Sequence, residues 1–343
     1  MEKIKNYDIF DITKFIMALM VVAVHVNPLG QNTDYIRYPF LVIAVPIFFL
    51  ISSYLLFKKI DLTNDTTYLN KYIKRNIKLY FGWFIVLLPF VIKNHVGNTL
   101  GITLKNIIVD FILGSTFPAS WYIMATVIGT YLIYLSSKKF GNIVTMILST
   151  GIYIVCIFTS SYHNVLPHNT IFDLMINYYP SYSICNSFFV SLLWIFIGKS
   201  IAENESRFNK IDSKRLVLGI IFSFIALVLE YNYISFKFGI EKYTCSFVLP
   251  LCCSLIFLGI LRIKCCYKYA FVLRKMSIII YCTHIPVSYI LGKIINKMKY
   301  IDLNVFPYSL VYYLSVVAIC ISISMIVYKL TQYPKTKWIN FLQ

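Results

Sequence analysis

Apolar runs long enough to cross a bilayer recur along this chain, and no other feature limits its folding as strongly. A bilayer core about 30 Å thick needs roughly 20 apolar residues of helix. Every backbone polar group inside lipid must be satisfied within the protein, so such runs are read as helices. Ten are read, at about 11–29, 38–57, 76–93, 119–136, 142–160, 186–201, 215–232, 244–261, 276–293 and 305–328. The stretch 105–117 is too short and carries Asp110, so it reads as interfacial or re-entrant. With 59% hydrophobic residues, 13% charged residues and a mean hydropathy of +0.72, little polar surface is left for a water-soluble domain. The expectation is an all-α polytopic membrane protein with about ten transmembrane helices, residues 1–343 forming a single membrane domain.

A formal charge of +18 raises the question of nucleic acid, and the positions of the cations answer it. If the N-terminus is cytoplasmic and the spans alternate, most of the 32 Lys and Arg residues fall at inward ends and loops. That bias is the positive-inside pattern, with both termini cytoplasmic and no nucleic-acid partner expected. Against it, Lys293, Lys297 and Lys299 fall outside, between the last two spans.

The nine cysteines show no CxxC and no metal-ligand spacing. They read as small membrane apolars, with no disulfide and no metal site expected. The first span is followed by no small-x-small cleavage pattern and is expected to stay in the bilayer.

That first span, "FDITKFIMALMVVAVHVNPLG", carries Lys14 near one end and His25 near the other. Eleven positions at about 100° each come to roughly 20° past three full turns, so both lie on one helix face, about 16.5 Å apart along the axis. Ala18, Val21 and Val22 lie between them, small enough to leave a groove beside the helix for an elongated ligand. Asp11, one turn before Lys14, is placed to brace its ammonium. Ionisable residues inside a span cost about 3 kcal/mol on insertion scales and therefore suggest function. The plainer reading has Lys14 snorkelling to the headgroups and His25 packed and hydrogen-bonded to a neighbouring helix.

Several stretches carry a resemblance. "DITKFIMALMVVAVH" resembles the first helix of membrane acyltransferase family 3, which has an Asp-x-x-Arg start followed by a catalytic His. Asp11 and His25 match, and Lys14 stands where the family usually has Arg. "VPIFFLISSYLLFKK" is similar to the Phe-Phe-x-x-Ser-Gly helix, with Ser52 on the Ser and Ser53 replacing the Gly. "YIKRNIKLYFGW", "SWYIMA" and "SIIIYCTHIPV" resemble, in order, the basic third helix, the Trp-Tyr helix start and the late Ser-x-x-x-Tyr-x-x-His-x-Pro signature. "AVHVNPL" is also similar to the membrane part of VanT-type serine racemases, of the same family.

The resemblance implies an O-acyltransferase of the bacterial cytoplasmic membrane. It would move an acyl group, usually acetyl, from cytoplasmic acyl-CoA to a hydroxyl of an extracytoplasmic polysaccharide or its lipid-linked precursor, with acetyl-CoA as donor and no permanently bound cofactor. His25 would be the catalytic residue, as a neutral imidazole acting as general base or as an acyl-histidine carrier. Lys14, Arg75 and Lys78 would hold the donor, although lysine offers a point charge where arginine offers a planar fork. Trp121, Tyr122, Tyr281 and His284 would contact substrate, with Asp11 and Ser52 in support. Each has a plainer account: positive-inside charge for Arg75 and Lys78, an interfacial belt for Trp121, and a buried hydrogen-bonded histidine for His284.

The outer segment 161–185 is rich in Tyr and includes His163, His168 and Asp173. It reads as a sugar platform or as a loop that only returns the chain. From other functional classes come a transporter-like module for a small amino acid such as serine, and a non-catalytic partner of a glycan synthase. Because Gln343 follows closely on the last span, no soluble racemase domain is expected and transfer by a single component is favoured.

Overall fold

The computed structural model describes residues 7–31, 33–63, 65–94, 99–165, 184–239, 244–297 and 302–343. Among them no strand occurs. In chain order the helices are α1 (Asp8–His25), α2 (Asp34–Leu41), α3 (Ala44–Thr63), α4 (Thr67–Val86), α5 (Leu88–Asn94), α6 (Leu100–Leu113) and α7 (Trp121–Phe158). After these come α8 (Phe188–Glu203), α9 (Glu205–Phe208), α10 (Ser213–Phe238), α11 (Leu249–Arg262), α12 (Ala270–Asn296) and α13 (Tyr308–Leu330). Each of the ten apolar runs overlaps helix. Five stretches are long and apolar enough to cross a membrane: Asp34–Thr63, Trp121–Phe158, Ser213–Phe238, Ala270–Asn296 and Tyr308–Leu330. Helix α11 is apolar but shorter. Residues 105–113 of the segment read as interfacial or re-entrant belong to α6, whose 14 residues rise only about 21 Å.

The longest of these stretches is not one rod. Gly141, inside α7, has φ 80° and ψ 170°, a conformation that a Cβ would oppose. The hydroxyls of Ser136 and Thr145 approach to 2.9 Å, whereas nine residues along a continuous helix would separate them by about 13.5 Å. The chain therefore doubles back at Gly141, and the two runs 119–136 and 142–160 are separate limbs of a helical hairpin.

The described residues fall into two compact units, Met1–Phe48 with Ile256–Gln343, and Phe49–Leu255. In the first, α1 and α12 run parallel: Tyr267 N–H donates to Asp8 Oδ2 at 3.0 Å, Asp11 pairs with Arg274, and further along His25 faces His284. Helix α13 returns antiparallel, its Tyr313 hydroxyl donating to Leu19 O and its Ser309 hydroxyl to Pro28 O. The turn after α1 sits close against the chain ahead of α13. Gln31 N–H donates to Asn304 O at 2.7 Å, and a Cβ on Gly30 (φ +86°) would meet that same oxygen at 2.9 Å.

In the second unit, small residues set the helix spacing. A Cβ on Gly198 of α8 would come within 2.0 Å of Ser53 Oγ and 2.9 Å of Leu50 O on α3. The small residue that the family resemblance places at position 53 is thus offset by the glycine across the crossing. Lys199 is only 5% exposed, yet it is fully engaged: Nζ lies 2.7 Å from Glu203 and donates to Asn142 Oδ1 at 2.8 Å. Asn142 returns a bond to Glu203 at 3.1 Å, which pins the residue after the Gly141 turn. Glu230 of α10 accepts from the Tyr162 hydroxyl and from the N–H groups of Phe247 and Val248, just ahead of α11. The cysteine thiols are free, and Cys245 donates to Cys185 Sγ, which donates to Cys156 O.

Candidate functional site

Of the residues that the sequence singles out, Asp11, Lys14, His25, Tyr281 and His284 lie in the first unit and Ser52, Arg75, Lys78, Trp121 and Tyr122 in the second.

In the first unit α1 ends at His25, whose side chain is exposed. Its ring centroid lies 5.0 Å from that of His284 on α12, with 46° between the planes. His284 is fully buried. Its Nδ1 sits 2.7 Å from the carbonyl oxygen of Tyr281, and a carbonyl only accepts, so Nδ1 carries the proton. In the neutral ring Nε2 is then a bare lone pair, and it is buried with no hydrogen-bond partner among the described residues. Most buried polar atoms are paired, so an orphan of this kind calls for a reason. The Tyr281 ring packs at 5.9 Å from His284 and at 6.3 Å from Phe48, walling this end of the helix pair.

Sequence reasoning missed the residue that caps the helix end bearing His25. Arg37 of α2 is buried and donates through Nη1 to the carbonyls of Ala23 (2.9 Å) and Val24 (3.5 Å). The last carbonyls of a helix have no internal partner and carry its negative dipole end, so a guanidinium there caps α1 electrostatically and sterically. Asp34 grips the same guanidinium on Nε (2.7 Å) and Nη2 (2.6 Å). A motif search could not reveal this, because the partners are main-chain atoms 13 and 14 positions away.

At the other end of α1, Asp11 Oδ2 lies 3.8 Å from Arg274 Nη1 and within electrostatic reach of Lys14. Arg274 is a second cation at this end of the helix. Ala18, Val21 and Val22, expected to border a groove, are buried. Their small side chains let neighbouring helices close on that stripe, so it is a packing seam.

In the second unit Ser52 lies close to the phenols of both Tyr72 and Tyr122. Arg75 lies over the Tyr72 ring at 5.5 Å, which links the basic start of α4 to the Ser52 cluster; Tyr72 was not singled out from sequence. Arg75 and Lys78 are exposed. Trp121 opens α7 beside Phe49 (6.2 Å), and Tyr122 packs on Phe49 at 4.6 Å. His163 lies in a short 3-10 turn, while His168 and Asp173 lie outside the described residues.

Comparison with known proteins places this helical architecture in a class. The family described as an acyltransferase domain matches residues 7–325, and the chain belongs to it. Among curated proteins it is 26% identical over 263 residues to an amino-acid racemase of Enterococcus faecalis, covering 73% of this chain and 35% of that protein. It is 24% identical over 272 residues to a serine/alanine racemase of Enterococcus gallinarum, covering 73% and 36%. The chain thus spans about a third of the length of the curated relatives it matches. No solved structure matches it significantly.

Proposed function

We propose that this chain is a ten-span acyltransferase of a bacterial cytoplasmic membrane, with both termini cytoplasmic. It transfers an acyl group, acetyl by family resemblance, from cytoplasmic acyl-CoA to a hydroxyl of an extracytoplasmic polysaccharide or its lipid-linked precursor. The observation that carries the reading is the exposed imidazole of His25 at the end of α1, backed by a second, buried imidazole. One face of α1 bears a cation at one end and this imidazole at the other, about 16.5 Å apart by helical rise. A donor with an anionic nucleotide and a long arm ending in a thioester is long enough for such a separation, with its arm running beside the packed Ala18, Val21 and Val22 stripe and not along it.

In this reading Lys14, Arg75 and Lys78 hold the phosphates of acyl-CoA, and His25 removes the proton from the attacking hydroxyl. The new O–C bond forms as the thioester C–S bond breaks, and the thiolate leaves with that proton. Tyr281 and the Trp121–Tyr122 pair contact substrate, and Asp11 and Ser52 support them. The test is binding of labelled acetyl-CoA to purified protein. Binding that falls in Lys14→Ala and persists in His25→Ala, with transfer lost in His25→Ala, is the expected result; no binding to the wild type would sink the reading.

A second reading rests on the names of the relatives. Racemases of amino acids share this region, so the chain would serve as a membrane module that moves a small amino acid such as serine. It predicts flux of labelled serine into proteoliposomes without acyl-CoA.

A further inference from the structure

His284 is fully buried, yet it presents an acceptor that has no donor among the described residues. We infer that His284 is the positioning partner of His25: its Nε2 lone pair receives the N–H of the His25 imidazole, completing a chain from the substrate hydroxyl through His25 and His284 to the Tyr281 carbonyl. This deepens the acyltransfer reading and rests on it for the identity of the hydroxyl.

Three observations converge on this pairing. First, the tautomer of His284 is fixed from behind. The Tyr281 carbonyl, 2.7 Å from Nδ1, accepts the one proton of the neutral ring and leaves Nε2 as the acceptor. Second, the spacing is right. Two imidazoles joined by an N–H···N bond of about 2.9 Å have centroids about 5 Å apart, each nitrogen lying roughly 1.1 Å from its ring centre. The observed separation is 5.0 Å, the distance that such a bond requires. Third, the two rings differ in access. His25 is exposed at the end of its helix, where a substrate can reach it, while His284 is sealed behind it. A base that is oriented through its far nitrogen by a buried acceptor is the arrangement that lets a histidine take a proton in one defined direction.

The proton balance is simple. The hydroxyl proton moves to the outward nitrogen of His25, making an imidazolium whose other N–H is already bonded to His284 Nε2. The same proton then goes to the departing thiolate, and His284 changes neither its proton count nor its tautomer. His284 is therefore a positioning residue, and His25 alone meets the reactants.

The first test uses protein in bilayers with ¹⁵N-labelled histidine, its signals assigned with His284→Phe and His25→Phe variants. The expected spectrum shows His284 protonated at Nδ1, with a bare Nε2 whose shift changes in His25→Phe. An Nε2-protonated His284, or an Nε2 shift indifferent to His25, would overturn the pairing, whatever the protein's activity. The second test is turnover of acetyl-CoA. In His284→Phe, kcat should fall about 100-fold or more with little change in donor KM, and His284→Gln, which keeps an acceptor near Nε2, should recover part of it. Equal losses in the Phe and Gln variants would also overturn the pairing. A wild type without turnover, combined with the expected spectrum, would instead overturn the acyl-transfer reading and leave the histidine pair standing.

Discussion

Arg37 Nη1 donates to the carbonyl oxygen of Ala23 at 2.9 Å, two residues before the end of α1 at His25. One buried guanidinium thereby joins the last turn of α1 to Asp34 of α2. Arg37→Ala would leave the Ala23 and Val24 carbonyls without this cap, a loss of about 1–3 kcal/mol. Arg37→Lys should recover only part of it, because an ammonium cannot reproduce the fork. Thermal unfolding in detergent, run beside His25-dependent turnover, checks both. The positional role is wrong if turnover follows stability alone.

The lysine at position 14 is a departure that can be tested by reversal. Lys14→Arg restores the family's usual planar donor and should tighten acetyl-CoA binding several-fold, with Asp11 and Arg274 untouched. Unchanged or weaker binding would mean that the ammonium is a topological charge only.

At Gly141, a Cβ would meet nothing within 4 Å, but φ is +80°. Gly141→Ala therefore meets backbone strain alone, about 1–3 kcal/mol, and because ψ is 170°, in a region that only glycine adopts readily, Gly141→Asn should cost about as much. A loss well beyond that, read from equilibrium unfolding, would show that the turn depends on more than φ.

The α3–α8 crossing predicts a coupling. Gly198→Ala places a methyl against Ser53 Oγ and Leu50 O and should destabilise by about 1–3 kcal/mol. Ser53→Ala removes the nearer obstacle and should relieve part of that cost, so the two changes combined should be milder than their sum. Simple additivity would place the overpacking elsewhere.

Lys199 belongs to a closed triad with Glu203 and Asn142. Lys199→Ala leaves a carboxylate and an amide without their shared partner, and because both are exposed to solvent it should cost only about 1 kcal/mol. Combining it with Glu203→Gln should return part of the loss in a double-mutant cycle.

Which of these features could be read in advance follows from the kind of partner each uses. Apolar run length is a property of the chain itself, and each run read from it overlaps helix, five stretches being long and apolar enough to cross a membrane. The shared face of Lys14 and His25 follows from helical period alone. Arg37, Tyr72 and Lys199 were passed over because their significance lies in contacts. Arg37 meets main-chain carbonyls, Tyr72 meets Ser52, and Lys199 looked like any inward cation. Ala18, Val21 and Val22 were misread for a related reason: a small side chain permits either a groove or a close approach, and only the neighbouring helix decides which. The offset of Ser53 by Gly198 needs the second helix in the same way.

The carboxylate of Glu230 holds three donors from two other segments of its unit, Tyr162 beyond the α7 hairpin and the N–H groups of Phe247 and Val248 before α11. A slide of α10 by one turn, about 5.4 Å, would break all three bonds together. Any piston-like or rocking motion in this unit must therefore carry α10, the Tyr162 segment and the chain leading into α11 as one block. A cross-link between Tyr162 and Phe247 positions should leave such a motion unhindered.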